Sequence, residues 1–162
     1  MRRLLVAAMT VGVLVSHGAA QSTRRSIQGV WRVEEARLSG PAARTISFAG
    51  RPNLTIITDK HYSRTEIQAD GPRPTLADAA KATADELRAV WGPVVAEAGT
   101  YEMTADSITM RPIASKNPAV MGSGVFIVYS YKFEGDTLVL TQQRNQNGPF
   151  PAPFALRLTR VE

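Results

Sequence analysis

The feature that most constrains this chain is a succession of short segments rich in β-branched and aromatic residues, separated by turns. Such runs, bounded by Gly, Pro, Asn or Asp, are typical of antiparallel strands. Eight are predicted, at residues 29–38, 54–58, 62–67, 99–104, 107–113, 124–134, 137–143 and 154–161. Eight antiparallel strands in near-neighbour order predict an all-β fold, a closed up-and-down barrel whose interior has room for one small ligand. An extended piece at residues 45–48 leaves a barrel of nine or ten strands as the alternative.

One segment has helical periodicity instead. Apolar residues recur at helical spacing from Leu76 to Trp91, and Thr75 stands before them as the first residue of a capping-box-like start. Gly92 marks the end of the helix or a kink, and residues 94–98 allow one further turn. We expect one inserted amphipathic helix. It either covers a barrel mouth together with the loop around Phe150 or packs its apolar stripe on the outer wall, and we favour the outer wall.

The first twenty residues have the three parts of a secretory signal peptide. Two arginines open it, an apolar run follows over residues 4–15, and small residues lead up to Ala20. An apolar run of about twelve residues is too short to cross the ~30 Å bilayer core as a helix, although an uncleaved anchor is the alternative. We predict cleavage after Ala20, a barrel domain over residues 21–162, no transmembrane segment after cleavage, and a secreted or periplasmic location.

Charge and composition narrow the classes of partner. The formal net charge of +5 falls to +3 once Arg2 and Arg3 are removed with the signal peptide. No basic run is interleaved with aromatic residues, so a nucleic-acid partner is not expected. The chain has no cysteine, and its stability must therefore come from an apolar core and not from disulfides.

Residue types that form metal and catalytic sites are sparse. His61 is the only histidine beyond the signal region, and a lone His without Cys predicts no zinc site. No G-x-S-x-G pattern supplies a nucleophile elbow, and no glycine-rich phosphate loop is present. We predict neither a cofactor, nor a metal, nor a catalytic residue.

Trp31 is one of two tryptophans and lies in the first predicted strand. Burying an indole removes ~150–250 Å² from water, so a tryptophan here can close one end of a small barrel. We expect Trp31 to be structural, with the last strand of the chain returning to pack against it. The alternative is that Trp31 lines a ligand site.

Several short motifs occur in an order that resembles the bacterial lipocalin-like domain family, a calycin-type β-barrel. They are Gly29-Val30-Trp31, Ala98-Gly99-Thr100-Tyr101-Glu102, Lys116-Asn117-Pro118, Gly135-Asp136-Thr137-Leu138 and Leu158-Thr159-Arg160. The resemblance implies that Gly29 and Trp31 belong to the barrel floor and that Arg160 packs over the tryptophan. It also implies an exported barrel that binds a small apolar molecule, with no settled activity. Glu97 departs from the pattern, since an aromatic residue is expected just before Gly99.

The segment at residues 124–134 offers two faces. The more apolar face carries Val125, Ile127, Tyr129, Tyr131 and Phe133, and the opposite face carries Phe126, Val128 and Ser130. An apolar lining with a few polar groups suits a small-molecule pocket. Together with the neighbouring strands, the first face predicts ligand contacts at Tyr129, Tyr131, Ile127, Tyr101, Met103 and Met110. A barrel packed solid by its own side chains is the alternative.

Tyr62, Arg64 and Glu66 alternate along one predicted strand and therefore share a face. If that face points inward, Arg64 becomes a ligand-binding residue for an anionic head group and Glu66 balances its charge. If it points outward, all three are ordinary solvated side chains. The pattern favours the outward direction, and a shift of one residue in register decides between the two.

The function predicted from the sequence is binding of a small hydrophobic or amphipathic molecule inside an exported barrel. The first alternative is a cofactor-free barrel enzyme, such as an isomerase, a cyclase or a hydrolase, which needs buried ionisable groups with shifted pKa values. The second is a packed structural or interaction module of the cell envelope.

Overall fold

A computed structural model describes residues 26–162, so the predicted signal peptide and its cleavage site lie outside the described residues. The strands are β1 (Gly29–Leu38), β2 (Arg44–Ser47), β3 (Asn53–Ile57), β4 (His61–Ile67), β5 (Val94–Met103), β6 (Ser107–Ser115), β7 (Ile127–Glu134), β8 (Thr137–Asn145), β9 (Gly148–Pro149) and β10 (Phe154–Arg160). One α-helix, α1 (Ala84–Trp91), lies between β4 and β5 in this part of the chain.

Eight of the strands form a closed antiparallel ring. The order is β1, β3, β4, β5, β6, β7, β8 and β10, and β10 pairs with both β8 and β1. The short β2 adds to the distal half of β1, and β9 folds back on β8. The closed eight-strand barrel with one helix predicted from the sequence is confirmed, and the extended piece at residues 45–48 falls largely in β2.

The two ends of the barrel differ in their connections. One end, which we call the floor, carries the tight turns at residues 58–60, 104–106 and 135–136 and the chain after β10. The other end, which we call the mouth, carries the long connections between β4 and β5, between β6 and β7, and between β8 and β10. Gly135 has φ +60° in the β7–β8 turn, a conformation that glycine adopts without strain.

The first strand leaves the ring partway along its length. β1 pairs with β3 over Gly29–Trp31 only, and a bulge follows between Val33 and Glu35. Beyond Trp31 the backbone hydrogen bonds between β1 and β3 stop, and the side chain of Asn53 takes their place at Val33. The Asn53 amide oxygen accepts from Val33 N at 2.7 Å, and its amide nitrogen donates to Val33 O at 3.1 Å. The distal half of β1 is thereby free to pair with β2 and to widen the mouth.

The floor half of the barrel is filled with apolar side chains. The most deeply buried are Trp31, Val33, Ile108, Leu138 and Leu158. They come from four different strands, so the interior at this end is a packed core and not a pore. The packed-barrel alternative therefore describes this half of the molecule.

The predicted helix is real but begins later than predicted. α1 starts after Thr83, whose side chain accepts from Glu86 N while the Glu86 carboxylate accepts from Thr83 N. The helix therefore begins at this capping box and not at the one predicted at Thr75. Asp78 instead accepts from the backbone N–H of Ala80 in a local turn, as short polar side chains readily do outside helices.

Two further expectations for this region are wrong. Residues 94–98 add no helical turn, because they form the start of β5 and satisfy their backbone groups against β4. The helix also does not bury its apolar stripe on the outer wall, since none of its residues is buried and Trp91 is 55% exposed. No helix in the described range is long and apolar enough to span a bilayer.

Candidate functional site: the mouth of the barrel

The floor is closed by a clasp between the first and last strands. Trp31 is 1% exposed, and its indole N–H donates to Ile27 O at 2.7 Å. The Arg160 guanidinium carbon lies 4.2 Å from the Trp31 ring centroid, within cation–π range. Arg160 also donates to Gln28 O at 2.7 Å. The indole is therefore held by the Ile27 carbonyl and by Arg160, and it fills the floor end of the barrel in the part of the chain that the structure describes.

Gly29 belongs to the same clasp. Its φ is +137°, and a Cβ placed on it would lie 2.1 Å from an Arg160 nitrogen. Only glycine combines that backbone angle with so close an approach. Gly29, Trp31 and Arg160, the residues assigned a structural role from the sequence, thus lie together at the floor.

A cavity of about 250 Å³ lies at the mouth, opposite this clasp. Its lining comes from β1, β2, β4 and β10 with the segments beside them: Ala36, Leu38, Ile46, Phe48, Arg51, Arg64, Glu66, Gln68, Phe154 and Leu156. The apolar members lie on β1, β2 and β10 and just after β2. Three polar members lie on or just after β4, and Arg51 lies in the loop before β3. One wall of the cavity is therefore hydrocarbon and the other offers hydrogen bonds.

The side chains of Tyr62, Arg64 and Glu66 point into the barrel, which corrects the outward direction favoured by the sequence. Tyr62 is buried and Glu66 is 0% exposed, while the alternating residues Ser63 and Thr65 face solvent. Both faces of β4 are polar, so the alternation of apolar and polar residues did not indicate which face points into the barrel. Pairing of β4 with β3 and β5 sets the register instead.

Arg64 and Glu66 form an ion pair inside the barrel. Arg64 Nε lies 2.5 Å from Glu66 Oε1, and Gln68 Nε2 approaches Glu66 Oε2 at 3.5 Å. Burial acts to lower the pKa of Arg64, but the hydrogen bond and charge of Glu66 outweigh it and raise this pKa. The guanidinium is therefore fully charged, and its orientation is fixed through Nε.

The terminal amino groups of Arg64, unlike its Nε, are not bonded to Glu66. Neither makes a hydrogen bond to any residue in the part of the chain that the structure describes, and the side chain lines the cavity. A guanidinium carries five N–H donors in a planar fork. Arg64 therefore presents unused donors to whatever occupies the cavity.

Two phenols lie close to this ion pair. Tyr62 donates to Glu97 Oε1 at 3.2 Å, and burial, followed by the charge of Glu97, raises the pKa of Tyr62. Burial also raises the pKa of Tyr129, and the charge of Arg64 acts in the opposite direction. Both phenols are consequently neutral at physiological pH. Glu97, which stands where the family resemblance led us to expect an aromatic, has this polar partner inside the barrel.

The structure disperses the residues predicted to contact a ligand. Arg64 lines the cavity, and Tyr129 is buried beside it. Met110 and Ile127 lie in or against the apolar core. As ligand contacts these residues remain predictions.

The other three predicted contacts lie toward the floor. Tyr131 donates to Thr104 O at 3.3 Å and Ala105 O at 3.2 Å, in the β5–β6 turn. Tyr101 donates to Thr58 O in the β3–β4 turn. Met103 ends β5 and is 41% exposed. None of the three is a member of the cavity lining.

Sequence reasoning missed much of the actual lining. Gln68 continues the alternation of Arg64 and Glu66 past the end of β4, which was a usable signal. Phe48 and Phe154 carried no local signal, because they come from opposite parts of the chain and meet only through the pairing of β1 with β2 and β10.

Within residues 26–162 no group of three or more His, Cys, Asp or Glu side chains could hold a metal ion. The fold and the cavity define a class of protein, a closed eight-stranded barrel with one packed end and one hollow end. No protein-family model and no curated protein matches the chain. A solved structure of an uncharacterized protein from Bacteroides eggerthii DSM 20697 resembles it at 7% sequence identity and a TM-score of 0.43, covering 80% of this chain and 97% of that one. Similarity at this level carries no argument about function.

Proposed function

We propose that this protein is an exported, lipocalin-like barrel that binds a small amphipathic molecule in the cavity at its mouth. The observation that carries the proposal is the cavity of about 250 Å³ with one apolar wall and one polar wall. Ligand sites are typically concave and mostly apolar, with a few fixed polar groups that orient the ligand.

The size of the cavity limits the ligand. Drug-sized ligands occupy pockets of about 300–1,000 Å³, and this cavity lies just below that range. At ~30 Å³ for each water in the liquid, it corresponds to about eight water molecules. The ligand, or the part of it that enters, is accordingly of the size of a single substituted ring or a short branched chain.

Burial of apolar surface is the expected source of affinity. Phe48 and Leu156 are buried, and Ile46 and Phe154 are partly buried around the cavity. Each Å² of apolar surface removed from water contributes ~25 cal/mol. The ion pair on β4 supplies polar contacts without disturbing this wall, so a ligand with both kinds of surface fits best.

Export and the family resemblance are parts of the same proposal. The signal-like pattern of residues 1–20 supports a secreted or periplasmic location. The Gly29–Trp31 clasp with Arg160 supports a lipocalin-like assignment, because it is the arrangement that the resemblance implies.

The test is native mass spectrometry of the protein purified from its own host, looking for a small molecule retained at one copy per chain. Ala36→Leu reaches into the cavity and is expected to abolish the retained mass. Ala155→Leu, on β10 but directed away from the cavity lining, is the matched control and should keep it. A chain that carries no small molecule under gentle conditions, together with no effect of Ala36→Leu in a ligand screen, would reject the proposal.

A second candidate is a cofactor-free enzyme, favoured by one observation. Two carboxylates, Glu66 and Glu97, and two phenols, Tyr62 and Tyr129, surround the single guanidinium of Arg64 inside the barrel. Such groups can transfer protons to and from a bound substrate. Incubating the protein with small-molecule extracts of its host tests this, with Glu66→Gln as the variant. Identical extract profiles with active and heat-denatured protein would exclude the enzyme.

A further inference from the structure

We propose that the ligand of the mouth cavity is a small organic acid, whose carboxylate accepts hydrogen bonds from the terminal amino groups of Arg64 while its apolar body packs against Phe48 and Leu156. This inference rests on the proposed function and adds the chemical class of the ligand. It is carried by the placement of one partly buried guanidinium with unused donors at the boundary between the polar and apolar walls.

The geometry of Arg64 leaves hydrogen-bond donors available to a ligand. Its Nε is taken up by Glu66, which leaves both terminal amino groups without a hydrogen-bond partner among the described residues. These donors face the cavity, and a ligand acceptor there would form charge-assisted hydrogen bonds with them. A carboxylate is the acceptor whose two oxygens match the spacing of a guanidinium edge.

The charged side chains of the lining also favour an acid. Two guanidinium groups, Arg51 and Arg64, line the cavity with one carboxylate, Glu66. Arg51 is held at the rim by its contact with Gln68 O at 3.2 Å and lies 5.6 Å from the Phe48 ring centroid. Its ion-pair partner Asp70 is 91% exposed and is not part of the cavity lining. Among the side chains that line the cavity, guanidinium groups therefore outnumber carboxylates by two to one.

One further carboxylate, Glu97, lies beside Arg64. Glu97 is inside the barrel but is not part of the cavity lining, and it accepts from Tyr62. Glu97 lies opposite Arg64 in the register of β4 and β5, yet its hydrogen bond is to Tyr62 and not to the Arg64 amino groups. A cationic head group at the Arg64 amino groups would meet a like charge at close range.

The experiment uses three nearly isosteric ligands, benzoate, benzamide and benzamidinium, which differ in head-group charge. Titration calorimetry or ligand-observed NMR of the wild-type protein is expected to give benzoate at least about tenfold tighter binding than either of the others, the size of a charge-assisted pair of hydrogen bonds. Raising the salt concentration should weaken benzoate only moderately, because the contact is buried.

Variants test whether Arg64 is the residue responsible for the preference for benzoate. In Arg64→Met/Glu66→Met the ion pair is removed as a unit, so that neither member is left without the other, and the preference for benzoate over benzamide should disappear while ring binding persists. Arg111→Met, which removes a guanidinium from the outer wall beside Glu102, is the matched control and should retain the full preference. The comparison among ligands on the wild-type protein stands even if the double variant does not fold.

The outcomes separate this inference from the proposed function. Equal or tighter binding of benzamide or benzamidinium overturns the assignment of an acid, while binding at the mouth stands. Binding of none of the three at millimolar concentration also overturns it, and the retained mass in native spectrometry then decides the proposed function by itself. Preference for benzoate that survives in Arg64→Met/Glu66→Met would place the anion elsewhere and would equally overturn the inference.

Discussion

Arg64 and Glu66 lie two residues apart on β4, and their side chains meet inside the barrel with Arg64 Nε 2.5 Å from Glu66 Oε1. Residues so spaced on a strand share a face, which is why a local pair can form without help from another strand. The pair forms the polar wall of the mouth cavity, so it bears on both stability and binding.

Removing one member of this pair should be much worse than removing both. Glu66→Ala leaves a buried guanidinium without its partner, and we expect a loss of about 3 kcal/mol in the free energy of unfolding. Arg64→Met/Glu66→Met should be close to neutral. Urea denaturation measures both, with Glu102→Ala in the surface pair with Arg111 as a control expected below ~1 kcal/mol. A double variant as unstable as Glu66→Ala would contradict this account.

The two tryptophans should differ sharply in their contribution to stability. Trp31→Ala removes a fully buried indole and its contact with Arg160, with an expected loss of about 3–5 kcal/mol. Trp91→Ala, at the end of the open helix α1, should cost less than ~1 kcal/mol because its side chain is already half in water. Thermal and urea unfolding compare them directly. Similar losses for the two variants would mean that Trp31 is not the floor of the barrel.

Two glycines with positive φ offer a test of the clasp. Gly29→Ala introduces a Cβ 2.1 Å from Arg160 and should lose at least ~2 kcal/mol, because backbone strain and a steric clash act together. Gly50→Ala has φ +74° with open space around the new methyl group, so it should lose only the ~1 kcal/mol of backbone strain. Circular dichroism melts would measure both. The idea fails if Gly29→Ala is no worse than Gly50→Ala.

Stability should fall in alkaline solution because of the buried phenols. The pKa values of Tyr62 and Tyr129 are raised by burial, so the unfolded chain releases these protons at ~10, before the folded chain does. Their contribution to stability is complete below about pH 10 and is lost as the pH rises further. Urea unfolding followed upward from neutral pH tests this. The slope above pH 10 should be shallower in Tyr62→Phe/Tyr129→Phe, and an unchanged slope would assign the effect to other groups.

The exported form should begin at Gln21. Expression of the full chain with its own first twenty residues, followed by intact mass measurement of the periplasmic or culture fraction, tests the predicted cleavage after Ala20. Replacing Ala20 with a bulky residue should leave the precursor uncut, whereas the same change at Ser26 should not. A mature protein that retains residues 1–20 would favour the uncleaved anchor.

Much of the fold was predictable because its signals are local. The turns Asp59-Lys60 and Gly135-Asp136 separate alternating segments, so strand count and order follow from neighbouring residues. The helix start was missed because two capping signals competed within eight residues. Thr83 succeeded over Thr75 since Glu86 completes a reciprocal pair of hydrogen bonds that Asp78 does not.

The sequence by itself determined that this protein is an eight-stranded antiparallel barrel, because alternation and turn chemistry act within a few residues. Only the tertiary structure decided what the barrel contains. The inward face of β4 depends on its register against β3 and β5, and both faces carry polar residues, so no local pattern distinguishes them. The cavity likewise exists only where β1 leaves β3 and pairs with β2 and β10, which brings Phe48 and Phe154 to Arg64 across more than half of the chain.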